Sequence, residues 1–281
     1  MKKSNSKSKA LGAFKKLGAV ALITATLAMC FTACKQTGGG GGGGGKQEAP
    51  FVEGGASLIL SPDKLTIKVT AKTADGSAIT VEGCKETTLA SEAETTLTAT
   101  GTTVILKGNI TGLDCSTEYS NMGSLTALNV QGLTALQELD CQGNRLTSLN
   151  VQGLTALQEL LCSGNQLPEL NVQGLTALQE LSCGGNKLTE LNVQGLTALK
   201  NLWCFVNQFN AQAMTKLLNA LPAREAGDNA EAVLYAEVTG FTEGNCKDFS
   251  QPAELKTAFD GAKKKNWKLQ KMNASESLED I

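Results

Sequence analysis

The chain has 281 residues, a formal net charge of −2, 30 glycines, 4% aromatic residues and no histidine. Lacking histidine, it has lost the commonest general base and metal ligand, which leaves acid and base chemistry to Lys, Tyr, Cys or carboxylates. Subtracting the six lysines of the first 33 residues leaves 19 basic residues against 27 acidic ones, a net of −8 and a surface that repels nucleic acid.

Lys2, Lys3, Lys7, Lys9, Lys15 and Lys16 precede an uncharged run from Leu17 to Ala33. This order of basic and apolar regions reads as a secretory signal peptide over residues 1–33. In Phe31-Thr32-Ala33-Cys34 a small residue stands just before Cys34 and a bulky apolar one three before it, as a lipoprotein signal peptidase requires. Cys34 is therefore the expected lipid-attachment site, with Cys30, which follows Met29, the weaker candidate. The box resembles the relaxed lipoboxes of spirochaete lipoproteins. The alternative reading is a membrane helix, for which seventeen residues sit at the lower limit of a hydrocarbon core of about 30 Å. Residues 34–50 then read as a flexible linker, because the eight glycines Gly38 to Gly45 lose too much backbone entropy to hold secondary structure. The expectation is an exported, lipid-anchored protein held off the bilayer, in the outer membrane and at the cell surface.

Residues 51–112 carry alternating Thr, Val and Ile stretches, such as Lys64 to Lys72 and Gly101 to Lys107, between glycine-bearing turns. They predict antiparallel strands forming an N-terminal cap.

Residues 113–208 are repetitive. Four 21-residue units start at Leu125, Leu146, Leu167 and Leu188, and each contains the string Leu-Asn-Val-Gln-Gly-Leu-Thr-Ala-Leu, first at Leu128 to Leu136. Each unit continues to a Cys (Cys141, Cys162, Cys183, Cys204) and an Asn (Asn144, Asn165, Asn186, Asn207). Leu139 and Cys141 alternate with Asp140 and Gln142, a period of two that predicts a short strand with Leu and Cys inward. Such a strand is stable only when coils stack at about 4.8 Å into a parallel sheet over one long core. The Asn series is predicted to satisfy backbone groups where the chain leaves the strand. The Cys series recurs too far apart for zinc ligation, and stacked Cβ atoms near 4.8 Å exceed the roughly 3.5 to 4.5 Å of a disulfide, which favours a reduced structural ladder over bridges.

Read from Leu136, the unit Leu-x-x-Leu-x-Cys-x-x-Asn-x-Leu resembles the leucine-rich-repeat signature, with Cys in the third apolar slot. The resemblance implies a repeat solenoid, the leucine-rich-repeat horseshoe, with a parallel β-sheet on the concave face and a mostly extended or turn-like convex side. It places the outward strand positions on the concave face, where partners bind. These are Glu138, Glu159, Glu180 and Asn201; Asp140, Leu161, Ser182 and Trp203; and Gln142, Ser163, Gly184 and Phe205. The acidic column suits a partner with basic or hydrogen-bond-donating groups. Trp203 and Phe205 suit either of two roles, apolar anchors for a partner or packing beneath a terminal cap.

Residues 209–281 predict an α/β C-terminal cap: a helix from Ala211 to Pro222 with Met214, Leu217, Leu218 and Leu221 apolar, a strand at Ala232 to Ala236, a helix from Pro252 to about Lys265, and a strand near Trp267 to Lys271. Together these features resemble the leucine-rich-repeat surface lipoproteins of host-associated spirochaetes. The resemblance implies a monomeric solenoid that binds host or bacterial surface proteins or matrix in adhesion, with the lipid bilayer a second partner through Cys34. A periplasmic or envelope structural role is the alternative. No nucleophile and base pair, phosphate loop or carboxylate dyad stands out, so neither catalysis nor a cofactor or metal is expected.

Overall fold

The computed structural model describes residues 48–117 and 123–281. The signal segment 1–33, Cys34 and the glycine run Gly38 to Gly45 lie outside the described residues.

The N-terminal part consists of short strands whose alternation sorts the side chains. In β2 (Thr66–Thr73), Ile67, Val69, Ala71 and Thr73 are buried while Thr66, Lys68 and Lys72 are exposed. β1 (Gly55–Leu60) is buried at every position because β6 (Thr103–Lys107) and β8 (Leu125–Asn129) flank it, both antiparallel. β3 (Ile79–Glu82) and β4 (Thr88–Leu89) continue beyond β6, which gives a five-stranded sheet in the order β4-β3-β6-β1-β8. β5 (Thr95–Thr98) and β7 (Ile110–Asp114) pair antiparallel with β2 on either side.

The expected boundary at residue 112 falls inside β7, and β8, counted with the repeats, joins the N-terminal sheet instead. The physical reason lies in the first unit. No preceding coil stacks on its second half, so β1 takes that edge by antiparallel pairing.

From β7 the sheet continues with parallel strands. β9 (Glu138–Asp140), β10 (Glu159–Leu161), β11 (Glu180–Ser182) and β12 (Asn201–Trp203) pair in register, each 21 residues after the last. The middle row reads Leu113, Leu139, Leu160, Leu181, Leu202, Ala232 and Leu269, all buried. Each buried leucine contributes about 1.5–3 kcal/mol, a gain one coil alone cannot collect because its apolar edge has nothing to face. Turns after the strands need a left-handed residue: Gly143, Gly164 and Gly185 have φ of 69°, 67° and 65°. The fourth coil puts Val206 there at φ 52°, a conformation that a β-branched residue adopts only under strain.

Two further strand-and-helix units extend the parallel sheet. α1 (Ala211–Ala220) is capped by Asn210, whose Oδ1 accepts the Ala213 N–H at 2.9 Å, and it buries Ala213, Met214, Leu217 and Leu218. β13 (Glu231–Ala236) pairs with β12, α2 (Ala253–Lys264) follows, and β14 (Lys268–Met272) pairs with β13. β15 (Leu278–Asp280) turns back antiparallel on β14 and ends a ten-stranded sheet that runs to β5. The main core passes without interruption from the N-terminal sheets through the coils to the two helices, and a second, smaller cluster gathers around Trp203 and Phe205.

Candidate functional site

The ladders are the frame on which any surface is built. Asn165 shows the pattern: its Nδ2 donates to the carbonyls of Cys141 and Cys162, both at 3.0 Å, and its Oδ1 accepts the Leu146 N–H at 3.0 Å. Asn144, Asn186 and Asn207 repeat this from rung to rung. Beyond the last coil a residue with no repeat context takes the same place. Asn245 donates to Cys204 O and Leu234 O at 2.9 and 2.8 Å and accepts the Phe209 N–H. Beside it, Glu243 Oε2 accepts the Val206 and Ala236 N–H groups at 2.8 and 2.7 Å, and Oε1 accepts that of Asn245 at 2.9 Å. In the earlier coils the N–H of Gly143, Gly164 and Gly185 donates to the next coil's carbonyl, so the Glu243 carboxylate stands in for a fifth coil. Burial raises the Glu243 pKa despite those three donors.

Cys115, Cys141, Cys162, Cys183 and Cys204 stack as fully buried free thiols, and desolvation pushes each of them up. Cys84 and Cys246 are also free, and partly exposed; burial raises Cys84 to about 11. The five ladder thiols are small apolar core groups rather than nucleophiles.

The strand register places the expected binding columns side by side. One row reads Gly112, Glu138, Glu159, Glu180, Asn201, Glu231 and Lys268; another reads Asp114, Asp140, Leu161, Ser182, Trp203, Val233 and Gln270. Their exposure corrects the sequence reading. Glu138 is exposed and Glu159 and Asn201 are half-buried, but Asp140, Gln142, Leu161, Ser163, Glu180, Ser182, Gly184, Trp203 and Phe205 are buried. Rungs about 4.8 Å apart flank each side chain with its counterparts, and the polar ones bond within that face. Gln142 Nε2 donates to Asp140 Oδ1 at 3.1 Å, and the Ser163 and Ser182 hydroxyls meet at 2.8 Å.

Trp203 and Phe205 take the packing role of the two left open. They meet edge to face, with ring centroids 6.3 Å apart, and cluster with Val233, Ala236, Val238 and Met272. Phe205 also reaches back over Gly184, where a Cβ would lie 2.9 Å from its ring.

A surface that the sequence reading passed over lies on a different side of each coil. A groove of about 1320 Å³ runs across the repeats, with Thr126 to Asn129 and the Glu48-Ala49 segment at one end and Ala213, Lys216, Asn219 and Ala220 of α1 at the other. Leu128, Leu149, Leu170 and Leu191 line it as four nearly buried leucines. Asn129, Asn150, Asn171 and Asn192 form one polar row along it, and Gln131, Gln152, Gln173 and Gln194 form another. All these residues belong to the string that is identical in the four units. The signal was therefore visible in the sequence, but invariance across repeats reads first as scaffold.

Among the described residues no helix is long and apolar enough to cross a membrane. No family model and no curated protein matches the sequence. Among solved structures the chain is similar to the functional domain of InlJ from Listeria monocytogenes, whose description notes a cysteine ladder. The identity is 26% and the TM-score 0.29, and the match covers 45% of this chain and 35% of that one.

Proposed function

We propose that this chain is an exported, lipid-anchored leucine-rich-repeat solenoid that binds macromolecular partners at a cell surface, in adhesion to host cells, matrix or other bacteria, and performs no catalysis. The observation that carries the reading is the in-register acidic row, in which Glu138 and Glu159 stand beside each other at the accessible end. A carboxylate repeated at a fixed spacing on a rigid sheet complements a partner that presents basic or donor groups along its length, and many copies on one membrane add avidity to weak single contacts.

The test has two arms. Antibody labelling of intact cells, lost after proteinase treatment, is the expected result for surface display; signal only after permeabilisation would instead favour the envelope role. Binding of Glu138→Lys/Glu159→Lys protein to the target cells or matrix is expected to fall about tenfold at low salt, with the gap narrowing as the Debye length shrinks from roughly 10 Å at 0.1 M to 3 Å at 1 M. Binding that ignores both the charge reversal and the salt would move the site off the sheet.

A further inference from the structure

The groove beside the coils has a donor pattern that the strand face lacks. Asn129, Asn150, Asn171 and Asn192 each accept, through Oδ1, the backbone N–H two residues on, from Gln131, Gln152, Gln173 and Gln194, at 2.9 to 3.1 Å. A backbone N–H can only donate, so the atom facing it is the amide oxygen, and each Nδ2 is left directed away from the turn as a donor.

At the first rung that donor is in use. Asn129 Nδ2 donates to the carbonyl of Ala49 at 3.1 Å, and the Ser57 hydroxyl donates to the carbonyl of Pro50. Ala49 precedes a proline, which confines it to the extended or polyproline II region. The chain's own Glu48-Ala49-Pro50 segment thus demonstrates what the rung holds: a backbone carbonyl of an extended, proline-bearing stretch. Gln152 shows the same preference one rung on, its Nε2 donating to the carbonyls of Asn171 and Gln173 at 3.0 and 3.4 Å. The next three rungs, Asn150, Asn171 and Asn192, are exposed and line the same groove.

We infer that this groove is a docking site for a proline-rich segment of a partner protein, bound as a polyproline II helix whose carbonyls are read by the amides of alternate rungs, Asn150 and Asn192. The spacing selects that conformation. Carbonyls on one face of a polyproline II helix recur every three residues, about 9.3 Å, which matches two rungs at about 9.6 Å; those of a β-strand recur at about 6.6–6.8 Å and fall out of step. An α-helix has already committed its carbonyls internally, whereas a polyproline II backbone has no internal hydrogen bonds and offers them all. The exposed carboxylates Glu169 and Glu190 at the edge favour a neutral or basic segment, with Glu190 also 3.9 Å from Lys216.

The experiment uses the mature protein and a fluorescent proline-rich peptide of about nine residues with one lysine, long enough to cross the three free rungs. Wild type is expected to bind it, and Asn150→Asp/Asn192→Asp to bind at least tenfold more weakly. That variant keeps the oxygen that caps the turn and replaces only the donor, so its unfolding transition should match wild type. Thr155→Asp, which adds an exposed charge outside the groove, should bind as wild type does. No binding by wild type, or equal binding by the double variant, would overturn the inference. Concentration-dependent self-association that Asn150→Asp abolishes would overturn it too, by assigning the groove to a second copy of this chain.

Discussion

Asn165→Ala tests the ladder where its accounting is clearest. The Leu146 N–H is buried and accepted by Asn165 Oδ1, so the substitution strands it; an orphaned buried donor costs about 1–3 kcal/mol. The two carbonyls fare better. Cys141 O still accepts from Asn144 at 3.1 Å and Cys162 O from Asn186 at 3.1 Å, so each loses one of two donors, about 0.5–1 kcal/mol apiece. The expected total is about 2–5 kcal/mol, at the upper end of what one substitution does. The control is Asn150→Ala, which removes a turn-capping oxygen at an exposed position and should cost below about 1 kcal/mol. Urea unfolding followed by circular dichroism reads both, provided the slope with denaturant is unchanged, since repeat arrays can lose cooperativity between coils. Equal midpoints for the two variants would refute the assignment of backbone satisfaction to the inner ladder.

Two other perturbations probe the cap and the thiols. Glu243 has a folded pKa raised above its ordinary value of 4.5, so its protonated form stabilises the fold. That stability is fully present below pH 4.5 and is lost as the pH rises through the folded value. The difference in unfolding free energy between wild type and Glu243→Gln, followed from pH 4 to 8, should carry this downward slope; a flat difference would show that the carboxylate is not desolvated. In native protein at pH 8 an alkylating reagent should modify Cys246 first, Cys84 slowly because its thiol sits near 11, and the five ladder cysteines only after unfolding, as read by peptide mass mapping. A disulfide recovered between neighbouring rungs would refute the free-thiol ladder.

The parallel strands, the inward leucines and the Cys and Asn series were legible because they recur with one period, and a period of 21 that alternates Leu139 with Asp140 leaves little choice of side. The helix at Ala211–Ala220 was legible from its own apolar spacing. What escaped depends on single residues and distant pairs. Nothing in Leu125–Asn129 marks it as the partner of Gly55–Leu60, about 70 residues earlier, because each strand's pattern states which face is apolar but not whose edge it meets. Glu243 and Asn245 act as a substitute coil from an irregular stretch, 36 to 41 residues from some of the groups they satisfy, and no periodicity could flag them. Alternation likewise told which way Trp203 and Phe205 point, but not that Val233, Val238 and Met272 would lie against them.

The two faces of the coils differ in what variation can mean. On the strand face the units diverge, and the divergence is absorbed by packing: Phe205 leans over Gly184, Ser163 bonds Ser182, and the aromatic pair sits in an apolar cluster. On the groove face the Leu, Asn and Gln rows are identical in the four units, yet Asn150, Asn171 and Asn192 remain exposed with the donor direction fixed. Identity there is required in any case for stacking, since Leu149, Val151 and Leu154 must meet their counterparts in the next coil. Stacking does not require Asn at the exposed positions, because a turn can be capped as well by Asp or Ser. Asp has no donor and Ser only one O–H close to the backbone, whereas Asn combines the capping oxygen with two N–H donors on the outward side, and so the constant residue at 129, 150, 171 and 192 is better explained by what the row can hold than by how the coil turns.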